Sequence, residues 1–101
     1  MKVIDFIEKF TGTIDVYDNY TEELSIAYSG EKLTEAGKKH FAEALQLPID
    51  HFDTDILVIE VDSKGLTSNQ AEHRLEIAKE LFESIAGMCS AAEWDKWFTE
   101  E

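Results

Sequence analysis

The chain has 101 residues, 44 % of them hydrophobic and 11 % aromatic, and carries a formal net charge of −13. A surface that acidic repels nucleic acid and anionic membrane and attracts basic protein surfaces, while the apolar content is too high for a disordered acidic chain. No stretch approaches the roughly 18 apolar residues of a membrane span. Lone Cys89 excludes an internal disulfide and points to a reducing, cytoplasmic setting.

Val3, Ile4, Ile7 and Phe10, with Phe6 beside them, recur at helical spacing and predict a short first helix ended by Thr11-Gly12. The acidic residues Asp5 and Glu8 in this segment do not fit a secretory signal. Residues 13–18 and 24–29 then alternate, with Ile14 and Val16 in the first run and Leu24, Ile26 and Tyr28 in the second. The intervening Asp18-Asn19-Tyr20-Thr21 is turn chemistry, so a β-hairpin is expected, with a loop slightly longer than two residues.

A second helix is expected from Thr34 to Leu45, stopped by Pro48. Ile56-Leu57-Val58-Ile59-Glu60-Val61 is the strongest strand, rich in β-branched residues, with Gly65 beyond its end. Thr67 and Gln70 have capping-box spacing and open a long helix to about Ala86, with Gly87 as its left-handed stop. Ser90 and Glu93 repeat the capping box before a last short helix carrying Trp94, Trp97 and Phe98. The expected fold is one α+β domain over residues 1–101, in the order αββαβαα, with a three-stranded, mainly antiparallel sheet and helices on one face.

The acidic residues concentrate in three places. On the long helix, Glu72, Glu76 and Glu80 repeat at i, i+4, i+8, followed by Glu83. Four residues advance about 6 Å along a helix, close to the spacing of successive phosphates. Between Lys39 and Lys64 there is no Lys or Arg, and Asp50, Asp53 and Asp55 fall in what reads as the loop entering the strong strand. In the hairpin, Asp15 and Asp18 flank the turn, and Glu22 and Glu23 start the next strand.

No motif for catalysis competes with this charge. The segment Asp50-His51-Phe52-Asp53-Thr54-Asp55 lacks the central Gly of an EF-hand and reads as a solvated loop, so no metal or other cofactor is expected. Cys89, at a helix junction among apolar residues, reads as a small buried side chain and not as a nucleophile. The chain is therefore not expected to be an enzyme. Trp94, Trp97 and Phe98 fit either a core that closes the domain or the interface of a homodimer. Tyr17 and Tyr20, near the hairpin tip, are further candidates for contact residues.

Ile4-Asp5-Phe6-Ile7 through Gly12, Asp15-Val16-Tyr17-Asp18, Ala86-Gly87-Met88-Cys89-Ser90 and Asp95-Lys96-Trp97-Phe98 resemble segments of small acidic proteins of phages and conjugative elements. In size and charge the chain is similar to anti-CRISPR and anti-restriction proteins, several of which mimic nucleic acid. That resemblance implies a non-catalytic inhibitor whose rigid acidic surface occupies the basic channel of a nuclease, such as an RNA-guided type II effector, and blocks guide RNA or DNA. The expected partner-binding residues are Asp15, Asp18, Glu22, Asp50, Asp53, Asp55, Glu72, Glu76, Glu80 and Glu83. The competing expectation is an acidic accessory or structural protein of a mobile element, in which charge serves solubility.

Overall fold

The computed structural model describes residues 1–30, 32–62 and 65–99. Strands β1 (Thr11–Asp18) and β2 (Thr21–Ser29) form the expected antiparallel hairpin, with Ile14 opposite Ile26 and Val16 opposite Leu24. The loop is only two residues long. Asn19 and Tyr20 both adopt positive φ, at 51° and 65°, the signature of a tight hairpin turn whose twist matches that of its strands. Residue Glu23 has no partner on β1, a bulge at the start of β2.

The sheet has four strands, not three, and is mixed, with two of its three pairings antiparallel as expected and one parallel. Strand β4 (Ile56–Glu60) pairs parallel with β1, and a two-residue strand β3 (His51–Phe52) pairs antiparallel with β4, giving the order β2-β1-β4-β3. The segment expected to be a loop at residues 50–55 is thus a short hairpin, closed by Asp50 N–H to Val58 C=O and Asp53 N–H to Ile56 C=O. Gly12 lies inside β1, where it does not end a helix. A Cβ there would stand 2.3 Å from the Asp55 carbonyl oxygen, so only glycine lets the turn before β4 come this close.

The N-terminal segment does not form the expected first helix. It holds a single 3-10 turn at Val3–Asp5, with Lys2 bridged to Pro48 and Val3 N–H bonded to Leu47 C=O, followed by separate turns closed by Ile7 N–H to Val3 C=O and Phe10 N–H to Phe6 C=O. Val3, Ile7 and Phe10 still reach the core, and the Tyr28 hydroxyl donates to the Ile7 carbonyl. The second helix is divided at Phe41, where φ is −101° and ψ 21°, into α1 (Glu35–His40) and α2 (Ala42–Leu45). The break aims the Phe41 ring inward, 5.0 Å from Trp97 and 5.9 Å from Phe98 between ring centroids.

Helix α3 (Ser68–Glu83) opens with the expected capping box, Gln70 N–H to Thr67 Oγ1 and Thr67 N–H to Gln70 Oε1. Ala71, Ala78, Leu81 and Phe82 form its buried stripe. Burying a Leu or Phe contributes about 1.5–3 kcal/mol each, which holds the helix despite its like-charged i, i+4 pairs. A π-helical turn, Ser84–Met88, extends α3 to Gly87, whose φ of 88° is the left-handed stop. Helix α4 (Ala91–Trp97) begins with the second capping box, Ser90 and Glu93.

Trp97 and Phe98 are each 7 % exposed and belong to the core cluster, with Trp94 packed against it. The C-terminal end of α4 also abuts α1. Thr34 caps α1 by accepting from Gly37 N–H, while its own N–H and Oγ1 donate to the carbonyls of Trp97 and Lys96 at 2.9 and 2.6 Å. Gly37 is buried at this crossing, where a Cβ would meet the Trp97 carbonyl at 2.4 Å. One contiguous core therefore runs from Val3 to Phe98, with Ile14, Val16, Leu57, Ile59 and Val61 as the sheet's contribution. The architecture is α+β, with the core-facing helices on one side of a mixed sheet.

Candidate functional site

The strand registers sort every other residue onto the opposite face of the sheet. Thr13, Asp15 and Tyr17 of β1 align there with Ala27, Ser25 and Glu22 of β2, with Ile56, Val58 and Glu60 of β4, and with His51 of β3. None of these belongs to the core cluster. One hollow opens on this side and a second lies at its edge, against α3. One, of about 490 Å³, is lined by Tyr17, Tyr20, Asp50, His51, Val58, Glu60 and Asp62. The other, of about 350 Å³, lies between the hairpin tip and the start of α3 and includes Asp18, Asn19, Asp62 and Glu72. Asp62 lines both, so the hollows form one acidic margin around the tip of the hairpin.

Local contacts fix several of these groups. Ser25 Oγ donates to Asp15 Oδ1 at 2.6 Å, Asn19 N–H donates to Glu60 Oε1 at 3.1 Å, and Asp50 Oδ2 lies 2.8 Å from His51 Nδ1. The Glu60 contact ties the turn to β4. Burial, and then the Glu22 and Asp15 carboxylates, push the Tyr17 hydroxyl above its ordinary pKa, so it remains a neutral donor through physiological pH. Tyr20 is different. Its ring is 90 % exposed, and it holds a left-handed φ that disfavours a bulky side chain by roughly 1–2 kcal/mol. Glycine is the favoured residue at this second turn position. An aromatic kept there with no core contact is strain of the kind stored at binding sites.

The ten sequence-derived candidates do not form one surface. Asp15, Asp18, Glu22, Asp50 and Glu72 gather around the open face and its margin. Asp53 turns its side chain to the Thr54 N–H within the β3–β4 turn, and Asp55 contributes its backbone carbonyl to Thr13 N–H. Glu76 and Glu80 line a separate groove between α3 and the α1–α2 segment, and Glu83 is half-buried. The row at phosphate-like pitch is consequently split. Its Glu80 is taken by His40 at 2.8 Å, and across the same groove His73 meets Glu43 at 2.6 Å.

Glu60, Asp62, Tyr17 and Tyr20 complete the open-face site without standing among those ten. The signal for the first two was present: Val58, Glu60 and Asp62 alternate with the core residues Leu57, Ile59 and Val61. Among the described residues no three His, Cys, Asp or Glu side chains gather as a metal cage, and no helix is long and apolar enough to cross a membrane. No family model, no curated protein and no solved structure matches this chain.

Proposed function

We propose that this protein is a non-catalytic inhibitor that docks its acidic, tyrosine-bearing sheet face onto a basic nucleic-acid-binding surface, such as the channel of an RNA-guided nuclease. One observation carries the reading: the hairpin from Thr11 to Ser29 holds Asp15, Asp18, Glu22 and Glu23 and contains no Lys, Arg or His. Its charge is not neutralised from within. Among the described residues, Lys38 is the only Lys or Arg in ion-pair range of a carboxylate, and its partners Glu8 and Glu35 lie outside the hairpin. A rigid anionic face of this kind gains from long-range steering towards a cationic groove, and exposed tyrosines add contact area at low entropic cost.

The test is inhibition of a guide-loaded type II nuclease across a salt series, with two sets of variants. Inhibition is expected to weaken steeply as salt rises. The pair Glu22→Lys and Glu23→Lys is expected to weaken binding roughly tenfold or more, from lost attractions and new repulsions of some tenths of a kcal/mol each. The set Glu72→Gln, Glu76→Gln, Glu80→Gln and Glu83→Gln is expected to act less strongly. Salt-independent inhibition, or inhibition unchanged by the Glu22→Lys and Glu23→Lys pair, would remove the hairpin from the mechanism.

The alternative of a homodimer built on the last helix is weakened by one finding. Trp97 and Phe98 are spent on the core, which leaves that helix with only the half-buried Trp94 as an aromatic anchor.

A further inference from the structure

The outer edge of β2 is the molecule's longest unpaired row of backbone donors and acceptors among the described residues. From Thr21 to Ala27, no backbone hydrogen bond reaches any element other than β1. The direction of the edge amides follows from β1. Thr13 N–H bonds to Asp55 C=O and Tyr17 C=O accepts from Val61 N–H, so the odd-numbered residues of β1 turn their backbone towards β4. Ile14 and Val16 then face β2, and Asp15 and Thr13 sit opposite Ser25 and Ala27 in the pairs that exchange no hydrogen bond. The N–H and C=O groups of Ser25 and Ala27 therefore point outward, about 7 Å apart at two residues' rise.

Such edges are usually blunted by lysine, proline or bulges. Strand β2 contains neither Lys nor Pro, and its bulge at Glu23 leaves Leu24 to Ala27 regular. Its side chains decide the occupant. Glu22 and Glu23 are exposed at one end, Asp15 and Asp18 stand on the neighbouring strand, and no basic side chain lies on either strand. A second copy would bring another net charge of −13 to the same place. We infer that the β2 edge captures an extended, Lys- or Arg-rich segment of the partner as a fifth strand, main-chain bonds giving affinity and the hairpin carboxylates selecting positive charge. The inference rests on the proposed docking of the acidic face and adds its geometry.

The probe is a nine-residue peptide alternating lysine with threonine, titrated at low salt into isotope-labelled protein while amide shifts and hydrogen exchange are read. Protection is expected at Ser25 and Ala27. Two further peptides carry N-methyl groups on alternate residues, one in each frame. One frame blocks the bonds to the edge and is expected to bind about tenfold more weakly, while the other frame leaves binding unchanged. Glu22→Lys with Glu23→Lys is expected to weaken all three peptides. If both methylated frames bind like the parent, charge alone holds the peptide; the edge role is then wrong while the acidic-docking reading stands. Shifts confined to α3, or a dimer that already protects Ser25 without peptide, would also overturn the edge role. Absence of binding by any lysine peptide together with absence of nuclease inhibition removes both.

Discussion

The carboxylates on the two sides of this molecule meet opposite circumstances. In the helical groove, Glu80 and Glu43 are engaged by His40 and His73, and His40 also stacks on Trp97 at 4.1 Å between ring centroids. There the acid residues join α3 to the α1–α2 segment. On the hairpin, the neighbours of Asp15, Glu22 and Tyr17 are hydroxyls and other carboxylates, and no cation is supplied from either strand. The same residue type is structural on one side and, in the proposed reading, left for an outside partner on the other. Net charge alone does not distinguish these uses; in the groove the imidazoles bridge two elements, whereas His51 on the open face meets only its chain neighbour Asp50.

Four measurements break or sharpen that contrast. The largest effect belongs to the layer that supports both sides. Phe82 is fully buried at the C-terminal end of α3's stripe, and Phe82→Ala is expected to lower unfolding stability by about 3–5 kcal/mol, read from the urea midpoint. A loss below about 1 kcal/mol would mean that α3 is held by its polar groove and not by its core face.

Next comes Tyr20→Gly. Relief of the left-handed strain is expected to raise stability by about 1 kcal/mol, while affinity for the basic partner falls through loss of the exposed ring. A variant that gains stability and keeps full affinity would strip Tyr20 of a binding role. Smaller again is the groove pairing. A double-mutant cycle of His73→Ala with Glu43→Ala is expected to return about 0.2–1 kcal/mol of coupling, as both groups are exposed.

The smallest effect is seen only in alkali. Because the folded chain raises the Tyr17 pKa, its contribution is fully present below the unfolded tyrosine value of about 10 and is lost as pH climbs through the folded value. Tyr17→Phe is expected to flatten that part of the alkaline stability curve. It should also remove a late-ionising component from the ultraviolet titration. Loss of a component that ionises no later than the other tyrosines would show that burial, Glu22 and Asp15 do not act on the hydroxyl.

Local chemistry made much of this fold readable. Both capping boxes, the alternation in β1 and β2, and Gly87 are short-range signals, and the structure realises all of them. The failures are non-local. Nothing within Ile56–Glu60 specifies that it lies parallel to β1, and His51–Phe52 is exposed and too short to show alternation. The first segment has helical spacing but forms only a 3-10 turn and isolated turns, tied at its start to residues 47 and 48. Likewise, each acidic residue was visible, but its fate was not. The pairing of His40 with Glu80 depends on two helices meeting, whereas the absence of any base in the hairpin is legible directly from residues 11–29.

The parallel pairing has a kinetic consequence. Thr13 must find Ile56, a partner more than forty residues along the chain, so β1 and β2 can zip together long before β4 arrives. During that interval the hairpin shows two open edges and the apolar side of Ile14, Val16, Leu24 and Ile26. Short β-prone segments in that condition seed aggregation unless charge keeps like chains apart. Asp15, Asp18, Glu22 and Glu23 ride on that hairpin from the start, so the chain carries its own protection through that interval.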